Sequence, residues 1–170
     1  ALITPGSDLT IENVGINPLR AGVLASLQEM GAEIEILNER DTAGEPIADL
    51  HVRASELTGA TIPADRAPSM IDEYPILAVA AACAKGTSVF EGIGELQVKE
   101  SDRLAAMASG LKECGVETEA TQDTLTVHGT GAAPQGGVTI ASRLDHRIAM
   151  SYLVLGMASQ KTITVDDGGP

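Results

Sequence analysis

Tryptophan is absent from this 170-residue chain, phenylalanine occurs once and tyrosine twice. Aromatic residues make up only 2% of it, which excludes the stacking platforms that hold single-stranded nucleic acids. The core must be built from Ala, Val, Ile, Leu and Met. Basic residues are scarce as well: 11 Lys and Arg stand against 24 Asp and Glu, a formal net charge of −13. That balance argues against nucleic acid and anionic membrane as partners. The sequence shows no apolar run of about 20 residues and no targeting pattern, so a soluble, cytoplasmic protein is expected. The two cysteines, Cys83 and Cys114, lie in neither Cys-x-x-Cys nor zinc spacing. Both read as reduced thiols used as small apolar side chains.

What is present is a real core: 44% of residues are apolar, enough for one domain or two small subdomains. Ser7 to Ile16 alternates as a strand. Pro18 at a first helical position opens a predicted helix over 19–30, stopped by Gly31. Glu33 to Leu37 and Asp49 to Ala54 form a predicted hairpin around a polar turn over 38–45. Leu57 to Ile62 reads as a short strand, Pro63 to Pro68 as a loop. Asp72 is a plausible N-cap for a helix reaching Lys85, whose run Ile76 to Ala84 is so uniformly apolar that it must be buried on most sides. Thr87 to Ile93 is strand-like, and an apolar-periodic helix runs from Leu104 towards Gly115.

The pattern then restarts. Gln28-Glu29-Met30-Gly31 resembles Lys112-Glu113-Cys114-Gly115. Asp49-Leu50-His51-Val52 resembles Thr124-Leu125-Thr126-Val127, and Ile71-Asp72-Glu73 resembles Leu144-Asp145-His146. The last helix leads into a predicted strand over 161–165. Two units, each with one buried helix, imply α/β packing with sheets outside and apolar helices inside. Two units also leave an open side, so a missing unit or partner domain is expected.

In so acidic a chain the clustering of bases is informative. Lys99, Glu100, Asp102 and Arg103 crowd the start of one helix, while Arg143, Asp145, His146 and Arg147 crowd the start of another. A helix N-terminus offers unpaired N–H groups and the positive end of the dipole, which suits an anion. Glu100 beside such an anion can move a proton. The plainer alternative is ordinary capping, with Ser101 or Asp102 as one cap, Asp145 and Asp72 as others, and the remaining charges solvated. His51 and His128 fall on strands with no evident partner. If the units pack side by side, the three helix starts at Asp72, Ser101 and Asp145 converge on one cleft.

These residues carry a family resemblance. Val98-Lys99-Glu100-Ser101-Asp102-Arg103-Leu104 and Leu144-Asp145-His146-Arg147-Ile148-Ala149-Met150 resemble two signatures of the 5-enolpyruvylshikimate 3-phosphate synthases. Ile71-Asp72-Glu73-Tyr74-Pro75-Ile76 and Val165-Asp166-Asp167 fit the same family, and Asp65-Arg66-Ala67-Pro68-Ser69-Met70 and Asp72-Glu73-Tyr74-Pro75 resemble its bacterial glyphosate-tolerant subgroup. The resemblance implies an incomplete inside-out α/β barrel, with helices buried inside and sheets outside. It places residues 1–170 as most of a C-terminal domain: a partial first repeat over 1–54, a second over about 55–129, and a truncated third over about 130–170. The N-terminal domain would be absent.

The implied activity is transfer of the enolpyruvyl group from phosphoenolpyruvate to the 5-hydroxyl of shikimate 3-phosphate, releasing phosphate, without cofactor or metal. Glyphosate is the implied inhibitor of the whole enzyme, and the chain alone is expected to be inactive. By the same resemblance Asp72, Glu100 and His146 are catalytic, and Lys99, Arg103 and Arg147 bind substrate. Asp72 would take the hydroxyl proton, Glu100 would exchange one with the methylene carbon, and the two arginines would hold phosphoenolpyruvate. Gln97 departs from the family, many members of which carry Arg there. The rival expectations are a fragment of UDP-N-acetylglucosamine enolpyruvyl transferase and a non-catalytic binding module that keeps the repeat fold.

Overall fold

A computed structural model describes residues 1–166. Asp167, and with it the end of the third predicted repeat, lies outside the described residues. The order is β1 (Asp8–Gly15), α1 (Gly22–Glu29), β2 (Glu33–Thr42), β3 (Glu45–Arg53), β4 (Thr61–Ile62), α2 (Tyr74–Cys83) and β5 (Lys85–Phe90). Then follow α3 (Arg103–Glu113), β6 (Glu117–Ala120), β7 (Leu125–Thr130), β8 (Thr139–Ile140), α4 (His146–Gly156) and β9 (Thr164–Val165).

The described residues form three sheets, ordered β1-β3-β2, β4-β5-β7-β6 and β8-β9. In the first two the hairpin's second strand is central and antiparallel to both neighbours. The short β4 and β8 lie parallel to β5 and β9. The internal likeness in sequence is therefore a likeness in topology. As expected, the sheets lie outside and an apolar helix inside: Leu77, Ala78, Val79, Ala81 and Ala82 of α2 are all buried. The barrel is not closed among the described residues.

Local chemistry moves several boundaries. The Asn17 side chain accepts from Leu19 N at 3.0 Å and its carbonyl from Arg20 N at 2.8 Å, which closes a separate turn. The helix predicted from Leu19 thus begins only at Gly22. The predicted polar turn over 38–45 is mostly strand, because the reversal is made by Ala43 and Gly44 alone, at φ 55° and 86°. Two consecutive positive φ values define the hairpin turn whose twist matches the strands. Of the predicted strand over 57–62 only Thr61–Ile62 pairs as a strand, and the predicted loop at Pro63 contains a 3-10 turn over Ala64–Ser69. The predicted strand over 161–165 shortens to Thr164–Val165.

The two expected cysteine environments hold. Neither thiol is paired in a disulfide, and burial pushes both up to about 11. The two strand histidines do have partners: His51 meets Asp8 at 2.6 Å, and His128 meets Glu119 at 3.1 Å.

The inner helices are set against each other by one small residue. Any Cβ on Gly110 of α3 would overlap the ring of Tyr152 on α4. With the ring seated there, Tyr152 Oη donates to Met107 O at 2.9 Å. That contact fixes the spacing of α3 and α4, and so of the charges at their N-terminal ends.

Candidate active site

Asp102 caps α3, its carboxylate accepting from Ala105 N at 2.9 Å. Asp145 caps α4, accepting from Arg147 N at 3.0 Å. Asp72 does not cap anything. It lies in a 3-10 turn over Ile71–Glu73, and α2 starts at Tyr74 without a side-chain cap. The expected capping role is therefore corrected: the Asp72 carboxylate is spent on arginines instead.

Those arginines are Arg103 and Arg147. Arg103 Nη1 donates to Asp72 Oδ1 at 2.9 Å, and Arg147 Nη2 lies 3.4 Å from Asp72 Oδ2. Arg147 Nη1 also donates to the Asp72 carbonyl at 3.2 Å. Arg103 reaches Glu100 through Nη2 at 2.5 Å and Asp145 through Nε at 2.8 Å. Three helix starts, far apart in sequence, thus meet in one ion-pair cluster.

Exposure divides the cluster. The Arg103 and Asp145 side chains are both 0% exposed, whereas Asp72 is 36% and Glu100 54% exposed. Burial alone would raise the Asp145 carboxyl. Hydrogen bonds from Arg103, from Ser101 Oγ at 3.0 Å and from Arg147 N outweigh it and hold the group below the ordinary aspartate range. For Arg103 burial works against the charge, and Asp145, Glu100 and Asp72 together more than restore it.

Lys99 and His146 stand apart from the cluster. Lys99 Nζ reaches back to Glu95, and His146 is exposed at the first position of α4. Gln97 Nε2 donates to Gln122 O, tying the 3-10 turn over Gly94–Val98 to the β6–β7 connection.

Asp145 and Ser101 had been legible only as caps, yet they hold the cluster together. Asp145 is delivered by an unusual turn. Arg143 and Leu144 take φ 54° and 61°, and Asp145 N closes on Ser142 O at 3.0 Å. Turns of this hand favour Asn and Gly, so Arg-Leu gives no sequence signal for one. Two side-chain-bearing residues held there cost about 1 kcal/mol or more each, and such strain persists only where surrounding structure enforces it.

Asp72, Glu100 and Arg147 face solvent at the outer side of the cluster, over the buried Arg103 and Asp145. Two hollows, of about 790 and 240 Å³, lie elsewhere: one is lined by Cys83, Lys85 and Met157, the other by Val23, Leu50 and Val154. No member of the cluster lines either of them. Among the described residues no helix is long and apolar enough to cross a membrane.

The site is thus a pair of arginines at converging helix starts, on an α/β fold with its helices inside. The chain belongs to the EPSP synthase (3-phosphoshikimate 1-carboxyvinyltransferase) family, whose profile matches residues 1–169. The 3-phosphoshikimate 1-carboxyvinyltransferase of Rhodospirillum rubrum is 60% identical over 168 residues, covering 99% of this chain and 37% of that protein. That of Cereibacter sphaeroides is 58% identical over 170 residues, covering 38% of its length. A solved EPSP synthase from Acinetobacter baumannii superposes with a TM-score of 0.94 at 46% identity, over 98% of this chain and 39% of that one. The enolpyruvyl transferase NikO from Streptomyces tendae, at 20% identity and a TM-score of 0.69, shares the fold. The chain thus spans a little over a third of the curated relatives it matches.

Proposed function

We propose that this chain is most of the C-terminal domain of a cytoplasmic enzyme that transfers the enolpyruvyl group of phosphoenolpyruvate to the 5-hydroxyl of shikimate 3-phosphate. Phosphate is the second product, and the pathway served is aromatic amino acid biosynthesis. The repeats divide as a partial first over 1–54, a second over about 55–129 and a third from about 130. The rest of the enzyme, with its N-terminal domain, closes over the cluster. A half-site that shows solvent only its Asp72, Glu100 and Arg147 side fits one wall of an interdomain cleft.

The observation that carries this reading is the sharing of Asp72 by Arg103 and Arg147. Two planar forks at one point suit a ligand bearing both a carboxylate and a phosphate. Asp72 accepts the proton of the attacking hydroxyl. Glu100 exchanges a proton with the methylene carbon of phosphoenolpyruvate. His146 lies beside the reacting carbon and Lys99 beside the shikimate phosphate. Fixed cations offset the charge of two anionic substrates in a chain of net charge −13. Glyphosate competes at the same cations.

The kinship at about 60% identity favours the shikimate enzyme over UDP-N-acetylglucosamine enolpyruvyl transferase. NMR titration of the chain with phosphoenolpyruvate and shikimate 3-phosphate tests the proposal. The expected outcome is amide shifts at Asp72, Lys99 and Arg147. Silence at millimolar ligand would favour a non-catalytic binding module.

A further inference from the structure

The arginine assigned to substrate has no free surface. Arg103 is 0% exposed, and its guanidinium nitrogens are paired with three carboxylates of the chain itself. Two guanidiniums, on Arg103 and Arg147, thus face three carboxylates, on Asp72, Glu100 and Asp145. That is a local excess of negative charge where an anion is meant to bind. Either Arg103 never touches a ligand, or some carboxylate leaves.

The carboxylates are not equivalent. Asp145 is buried and holds Arg103 through Nε at 2.8 Å and, more weakly, Nη2 at 3.4 Å, together with Ser101 Oγ and Arg147 N. Pulling it away would strand a buried cation and uncap α4, so it stays. Glu100 and Asp72 hold the two terminal nitrogens, Nη2 and Nη1, from the exposed side. Each is a partly solvated partner, and such contacts contribute little net free energy. The Nη1–Nη2 edge also presents the paired donors that a carboxylate or phosphate accepts bidentately.

We propose that Asp72 and Glu100 occupy the ligand positions of Arg103 in the unliganded state, and that the carboxylate or phosphate of the incoming anion displaces them. Asp145 remains as the permanent counter-ion that keeps the fork aimed outward. The inference rests on the proposed function, because it takes Arg103 to be a ligand-binding group. It adds a consequence: the two carboxylates that handle protons are released from their guanidinium only when the anion arrives.

Measuring the affinity of the chain for phosphoenolpyruvate, with inorganic phosphate as a second probe, tests this at low ionic strength. If the carboxylates compete with the ligand, Glu100→Gln and Asp72→Asn each bind phosphoenolpyruvate about two- to fivefold more tightly than the unaltered chain, the range an exposed ion pair allows. Glu100 is exposed enough that its substitution leaves the fold intact. Unchanged or weaker binding by both variants overturns the proposal. If Arg147→Ala weakens binding while neither carboxylate variant tightens it, the exchange fails and the functional reading stands. If no version of the chain binds either probe, both fail together.

Discussion

Arg103 Nε donates to Asp145 Oδ2 at 2.8 Å, and neither side chain reaches solvent. One residue begins α3 and the other precedes α4, so the bond joins two helix starts 42 residues apart. A buried pair of this kind gains little on formation, because both charges lose water. Breaking it by removing one partner is costly, because the other charge stays behind.

Replacing Asp145 by alanine is therefore expected to cost about 3–5 kcal/mol of stability, read by urea denaturation at neutral pH. The loss of the α4 cap falls within the same change. A loss under 1 kcal/mol would mean that Arg103 finds water or another partner at once.

The same carboxylate sets an acid dependence. Its folded-state pKa lies below its ordinary value of 3.8, so its contribution is present above that value and is lost as pH falls through the folded one. The stability gap between the chain and its Asp145→Asn variant should hold from neutrality down to about pH 4 and close only below it. A gap that closes between pH 7 and 5 would assign the effect to a different group.

A contrasting result is expected at Glu29 and Arg66. Their bidentate pair, with both bonds at 2.7 Å, ties α1 to the 3-10 turn at Ala64–Ser69, but Glu29 is 46% exposed. Glu29→Gln should cost no more than about 1 kcal/mol, and less in high salt. The comparison with Asp145 isolates burial as the variable, since both pairs have short, direct contacts.

His51 should stabilise the first sheet in the opposite pH direction. The hydrogen bond to Asp8, which outweighs the cost of desolvation, raises its pKa above the ordinary 6.5. Stability from this pair is fully present below that value and fades as pH rises through the folded one. His51→Gln should lower the melting temperature more at pH 6 than at pH 9. Equal losses at both would leave only a packing role.

Gly110→Ala is expected to destabilise by about 1–3 kcal/mol, because the new methyl must push Tyr152 off its seat between α3 and α4. Tyr152→Phe keeps the ring and loses only the hydroxyl's bond, shared between Met107 O at 2.9 Å and Ala106 O at 3.3 Å, at a cost of about 1 kcal/mol. If Gly110→Ala also shifts the amides of Ser101 and Arg147, the helix spacing governs the cluster as argued above.

Much of this was legible in the order of residues. Hydrophobic period gave α2 and α3, the repeated Met-Gly and Cys-Gly stops gave the unit, and the scarcity of bases drew attention to Arg103 and Arg147. These signals are local: periodicity, caps and composition act within a few residues of themselves. What misled was also local. Asp72 has the right type and place for a cap, and nothing nearby in sequence says that two arginines 31 and 75 residues away claim its oxygens and its carbonyl.

The sequence by itself determined the repeated unit, the apolar inner helices and the family kinship, because each is written in residue type and spacing. Only the tertiary structure decided that Arg103 is covered, that Asp145 rather than Asp72 serves as its buried counter-ion, and that Arg143-Leu144 turns left-handed to deliver it. Those outcomes depend on how much water is excluded when three helix starts pack together. Burial turns an ordinary cap into an anchor, and no residue carries its final burial in its own chemistry.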